Sequence, residues 1–133
     1  QVATMEVVDS KFPGMADGFS KSSSFKINDE WYALKNHPED LHVILVQKTE
    51  GMKSGPKKEY DRPDYPATWA RKFGDGRVFY TSMGHREDVW TNPKYQGLLL
   101  GALAWTTGLV DADVSPNVKK VTPGYETLPT GVK

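Results

Sequence analysis

Between Leu41 and Gln47 the chain reads Leu-His-Val-Ile-Leu-Val-Gln, and the four residues from Val43 to Val46 leave no polar face. A strand with one wet side alternates apolar and polar residues, so a run without alternation is a strand covered on both sides. Such a strand needs hydrogen-bonding neighbours on both edges and a layer over each face. That requirement favours an α/β sheet over a half-wet antiparallel meander. Few strands precede Leu41. Residues 2–8 read as one, ended by Asp9-Ser10, and Phe25-Lys26-Ile27 as a brief second. An unpaired apolar edge is an aggregation hazard. Partners are therefore expected from a missing N-terminal half, another subunit or the chain's own tail.

The remaining segments are punctuated by turn residues. Residues 10–24 read as loop, with Phe12-Pro13-Gly14, Asp17-Gly18 and Ser20 to Ser24, and with Met15 and Phe19 as anchors. Lys48 to Pro66 is a charged excursion interrupted by Gly51, Gly55, Pro56 and Pro63, and it reads as a solvated loop. Residues 67–73 and 77–83 flank Gly74-Asp75-Gly76 and predict an antiparallel hairpin, with Trp69, Arg71 and Phe73 on one face. The spacing of Tyr95, Leu98, Leu99, Ala102, Leu103 and Thr106 predicts a helix over 93–107. Asn92 suits its N-cap, Pro93 its first position and Gly108 its end. Leu100 and Trp105 widen the apolar stripe, so the helix is expected to lie against the sheet. Residues 109–133 carry Pro116, Pro123 and Pro129 and read as an extended tail.

Composition narrows the classes. A chain of 133 residues can bury a core of its own. It has no cysteine, which excludes a disulfide framework, a thiolate metal site and a cysteine nucleophile. Seventeen basic residues balance seventeen acidic ones, so charge supplies no pull toward nucleic acid or an anionic membrane. No apolar run approaches the roughly 18–20 residues of a membrane-spanning helix. Gln1-Val2-Ala3-Thr4 shows neither the basic nor the apolar region of a signal peptide. Four tryptophans and 11% aromatic residues indicate a folded chain despite a mean hydropathy of −0.58.

Three constellations could carry chemistry. In Asn28-Asp29-Glu30-Trp31-Tyr32, adjacent carboxylates could accept sugar hydroxyl protons while a ring covers the apolar sugar face. The competing reading makes Asp29 a turn cap, Glu30 a solvated charge and Trp31 a core residue. In Thr81-Ser82-Met83-Gly84-His85-Arg86-Glu87-Asp88, a strand ends, glycine permits close backbone approach, and His85 stands just past the sheet edge. A histidine there suits an acid, a base or a ligand contact, and neighbouring carboxylates favour its charged form. It could instead tie its loop through backbone hydrogen bonds. In His37-Pro38-Glu39-Asp40-Leu41-His42, four possible ligands crowd six residues, but Pro38 and the strand at Leu41 scatter them, and no metal site is expected. Phosphate-loop, nucleophile-elbow and His-Glu-x-x-His patterns do not occur.

The run Trp69-Ala70-Arg71-Lys72-Phe73-Gly74-Asp75-Gly76-Arg77-Val78-Phe79-Tyr80-Thr81-Ser82-Met83-Gly84-His85 resembles the ThuA-like family of trehalose and other sugar utilisation. Trp90, Asn92-Pro93 and Leu98 to Trp105 continue the likeness, and Asn28 to Tyr32 looks like the family's Asp-Glu-x-Tyr segment. The resemblance covers about residues 5–110. It implies an α/β fold of the flavodoxin-like, class I glutamine amidotransferase-like kind, a three-layer sandwich. The family's first strands and Gly-Gly-Gly…His segment have no counterpart here. Residues 1–110 are thus expected to be the C-terminal part of a ThuA-like domain with a mixed sheet, and 111–133 a tail. The resemblance carries over Asp29, Glu30, Tyr32, Arg71 and His85. The implied function is action on, or binding of, a carbohydrate or other small molecule through a cleft containing His85. Asp29, Glu30, Trp31, Tyr32, Arg71 and Trp90 are the candidate substrate contacts. A non-catalytic carbohydrate module or an assembly module is the alternative. No cofactor is indicated, and exported relatives imply a periplasmic or secreted setting.

Overall fold

The computed structural model describes residues 1–15, 19 and 23–131. The turn residues Asp17-Gly18 and Ser20 to Ser22 lie outside the described residues, as do the last two of the tail. Five strands form one sheet: β1 (Val2–Val7), β2 (Ser24–Asn28), β3 (His42–Lys48), β4 (Tyr65–Phe73) and β5 (Gly76–Thr81). Their spatial order is β2-β1-β3-β4-β5, and every adjacent pair is antiparallel. The class is α/β, but the expected mixed sheet is replaced by an all-antiparallel one. Parallel neighbours need crossover connections, usually helical. β2 and β3 do run the same way, but β1 lies between them and pairs antiparallel with both.

β3 occupies the centre, and its neighbours β1 and β4 belong to the same chain. Val43, Ile44, Leu45 and Val46 are each at most 1% exposed. A bulge explains how four consecutive residues are all apolar. Val43 faces Trp69 and Leu45 faces Thr68, so Ile44 is the extra residue; the register shifts again between Leu45 and Val46. Ile44 and Leu45 consequently turn to one face and Val43 and Val46 to the other.

The first face is covered by a helix, α2 (Pro93–Thr106), which follows a single turn, α1 (Glu87–Trp90). Asn92 caps α2 by accepting the Lys94 N–H at 3.0 Å, and Gly108 beyond the helix takes φ +79°. Tyr95, Leu98, Ala102 and Trp105 face the sheet and meet Met5, Phe12, Met15, Ile44 and Leu45. Gly101 lets the loop after β1 cross against the helix, where a Cβ would collide with the Pro13 carbonyl.

The second face is covered by the chain after α2. This segment holds a helical turn, α3 (Val118–Val121), and packs Val118 and Tyr125 onto Leu41, Val43 and Val46. Asn117 fastens it: its side chain accepts from the Val43 N–H at 2.7 Å and donates to the Val43 carbonyl at 3.1 Å. The hairpin turn has two residues, since Phe73 pairs with Gly76. The excursion between β3 and β4 is not wholly solvated. Arg62 within it is 7% exposed and donates to the carbonyls of Leu34 and Tyr125.

Candidate functional site

β2, β3 and β5 all end at the same edge of the sheet, and the segments that follow β2 and β5 meet there. Asp29 is the joint. It is 1% exposed, and its carboxylate accepts the N–H of Gly84 at 2.7 Å, of Arg86 at 3.0 Å and of Glu30 at 2.9 Å. Three backbone donors converging on one buried carboxylate satisfy it without solvent. Gly84, between them, has φ +114°, and a Cβ there would press on the Tyr95 hydroxyl. The loop Gly84–Arg86 is thereby fixed, and it presents His85 outward.

His85 lies between two side chains from the other segment. Its Nε2 is 3.1 Å from Glu30 Oε2, and its Nδ1 is 3.5 Å from the Tyr32 hydroxyl, the outer limit of a hydrogen bond. With a carboxylate on Nε2, a neutral ring carries its proton there and accepts from Tyr32 at Nδ1. Glu30 chiefly, which the single phenol O–H can reach as the alternative acceptor to His85, and then the nearby charges hold Tyr32 above its usual pKa. At neutral pH it is a proton donor. The His85 and Glu30 side chains are each 53% exposed, so the chain Tyr32–His85–Glu30 is open to a ligand.

Three depressions share His85. One, of about 310 Å³, is lined by Tyr32, Tyr80, Ser82, Gly84 and His85 among others. A second of the same size runs past Asn28, Asp29 and Glu30, and a third of about 470 Å³ follows His85 to Asp88. A larger groove, of about 690 Å³, lies elsewhere, around His42 at the opposite end of the sheet. Chemistry rather than size singles out the His85 edge. Among the described residues no group of three or more histidine, aspartate and glutamate side chains could hold a metal ion.

The other expected contacts separate. Trp31 is a core residue whose Nε1–H donates to the Gln1 carbonyl at 2.8 Å. Trp90 is 54% exposed but braces the loop from behind, donating to the Gly84 carbonyl at 2.8 Å with its ring edge-on to Tyr95. Arg71 stands toward the far end of β4, three residues and about 10 Å along from Thr68. There it pairs with Asp40 at 3.0 Å and lies over the Phe73 ring. Tyr80 was not among the expected site residues. It stacks on Trp69 at 5.2 Å and shares the first depression with Tyr32. The signal was its two-residue spacing from Ser82, which directly follows β5 and continues the alternation on the same side.

The family model for ThuA, described as trehalose utilisation, matches residues 1–106. The chain belongs to the ThuA family. The match takes in the whole sheet, the His85 loop and α2, and it stops before the segment that covers the second face. No curated protein and no solved structure matches the chain.

Proposed function

We propose that this ThuA family member recognises a carbohydrate at the His85 edge and handles a proton there. The observation that supports the reading is the Tyr32–His85–Glu30 chain, half open to solvent on a loop that Asp29 holds rigid. A sugar offers hydroxyls that donate and accept, together with flat C–H faces. Glu30 supplies an acceptor, Tyr32 a donor, and the Tyr32 and Tyr80 rings apolar surface. His85 links the two in a position to pass a proton to or from a sugar oxygen. The glutamine amidotransferase-like architecture belongs to the same proposal, since it rests on the family alone.

The test is titration of the protein with trehalose and with glucose, followed by amide chemical shifts. Perturbations should centre on Tyr32, Tyr80 and Gly84 to Arg86. His85→Ala should abolish them while leaving the melting temperature within about 2 °C, as an exposed side chain implies. Shifts confined to the His42 groove, or binding indifferent to His85→Ala, would reject the assignment. A second reading, an assembly module, draws on Leu100 and Leu103, which are 68% and 60% exposed on the outer side of α2. Sedimentation with Leu103→Glu separates the two, since a sugar site at His85 is indifferent to that change.

A further inference from the structure

At the other end of the sheet His42 opens β3, only 9% exposed. Its Nδ1 lies 2.8 Å from the Ser115 carbonyl oxygen and its Nε2 lies 2.9 Å from Asp9 Oδ2. Both partners are acceptors, and a neutral imidazole carries a single N–H. With one proton, therefore, one of the two short contacts would set lone pair against lone pair in a buried site. Only the doubly protonated ring satisfies both. Asp9 is itself held in place, its other oxygen accepting the Lys11 N–H at 2.8 Å.

We propose that His42 is a structural imidazolium, a proton-controlled staple joining the C-terminal segment at Ser115 to the loop after β1 at Asp9. The charges around it agree. Asp9 faces it from the loop and Asp113 from the C-terminal segment, while Lys11 and Lys120 line the same groove and its β4 neighbour Ala70 is uncharged. Burial acts to lower the pKa of His42, but the Asp9 and Ser115 hydrogen bonds and the two acidic charges outweigh it, and the net shift is upward from 6.5. Asp9 shifts the other way: burial would raise it, yet its bonds to His42 and to backbone N–H groups hold it low.

Loss of the proton removes one joint. A carboxylate is the stronger acceptor, so Nε2–H stays with Asp9 and the Ser115 carbonyl is released. Asn117 still holds Val43, and its N–H still donates to the Leu41 carbonyl at 3.1 Å, so release is confined to the stretch before it. That stretch supplies Ala112 and Asp113 to a groove of about 690 Å³ whose opposite wall is Val8 to Phe12. The width of the groove therefore follows the proton. A group whose folded pKa is raised contributes fully below its unfolded value and loses that contribution as pH rises through the folded one. The staple is closed in mild acid and opens in base.

The experiment is a pH titration of the whole chain, from about 5.5 to 9, following the ring nitrogens by long-range proton–nitrogen correlation. At pH 6, below the ordinary value from which its pKa is raised, both nitrogens of His42 should be protonated. His37, which burial holds at about 4, gives a neutral ring in the same spectra. Amide protection factors at residues 112–115, corrected for the intrinsic rise of exchange with pH, should fall as His42 titrates, while Val43 and Asn117 stay protected. Asp9→Asn should lower the His42 midpoint by about one pH unit or more. A single-N–H tautomer at pH 6 would overturn the proposal, and so would protection at 112–115 that ignores the titration. Should Asp9→Asn not fold, the unmodified chain decides alone.

Discussion

Replacing Asp29 by alanine removes a carboxylate that accepts three backbone N–H groups, two of them from a segment more than fifty residues away. Hydrogen bonds to a charged acceptor contribute about 1.5–3 kcal/mol each, and an orphaned buried donor costs about as much. The Glu30 N–H is local and turns to water easily. The Gly84 and Arg86 donors are held by a glycine at φ +114° and cannot both find solvent without moving the loop. Two such losses amount to about 3–6 kcal/mol, a large part of the 5–15 kcal/mol that holds a typical domain together. At about 3 °C per kcal/mol for a chain of this size, the melting temperature should fall by about 10–18 °C. Asp29→Asn keeps one accepting oxygen but turns an amide toward an N–H, and about half that loss is expected. Urea denaturation measures both, with the midpoint moving and the slope unchanged. A stable Asp29→Ala protein, within about 0.5 kcal/mol of the parent but unable to bind sugar, would refute the reasoning and return Asp29 to direct contact.

Acid should weaken the fold through His37, whose pKa burial chiefly, and then the Arg62 charge, lower to about 4. The unfolded chain takes up a proton below about 6.5 and the folded chain does not, so stability falls as pH drops from 6.5 toward 4. The loss is about 2 kcal/mol after allowing for partial solvent screening. His37→Gln should flatten that part of a urea-midpoint against pH profile. Asn117→Ala breaks both bonds to Val43 and should cost about 2–3 kcal/mol, with faster proteolysis after residue 110 as the direct readout. Gly101→Ala forces α2 away from Pro13 and should cost about 1–3 kcal/mol by thermal melting, although alanine favours helices.

What the chain displays and what it conceals divide along physical lines. The bounds of α2 are legible because Asn92, Pro93 and Gly108 act locally, and local rules carry to the structure. The burial of β3 is legible because four apolar side chains cannot be left in water. Strand direction is not legible, because it depends on how loops return the chain. The missing alternation is ambiguous for a related reason. It suits a parallel strand covered twice, and it suits equally an antiparallel strand with a bulge at Ile44. At the site, glycine at a strand end points to His85 correctly as an edge residue. Pairing Glu30 with His85 needed the β1–β2 register, which places Asn28 opposite Val2, at the same edge of the sheet as the end of β5. The burial of Asp29-Glu30-Trp31-Tyr32 follows the competing reading of that segment, with Asp29 a cap, Glu30 solvated and Trp31 in the core. In the fold, alternate residues of the segment turn inward and the others outward.

The three histidines show why one of them alone is available for chemistry on a ligand. His37 is enclosed with both ring nitrogens unpartnered beside Arg62, so it stays neutral and has nothing to exchange with. His42 has both nitrogens committed, one to a carboxylate and one to a carbonyl, and any transfer from it breaks a joint of the fold. His85 has one carboxylate and one phenol, both on exposed side chains, and a ligand can displace either without exposing core. Moving a proton through His85 thus costs the fold little, whereas the same step at His42 loosens the C-terminal segment. His85→Gln should leave urea stability unchanged, while His42→Gln should lower it by about 1–3 kcal/mol at pH 6 and by less once the pH has risen through the His42 titration and the parent has lost its proton. Equal losses on both sides of that titration would mean that His42 serves through packing alone, with its charge irrelevant to the fold.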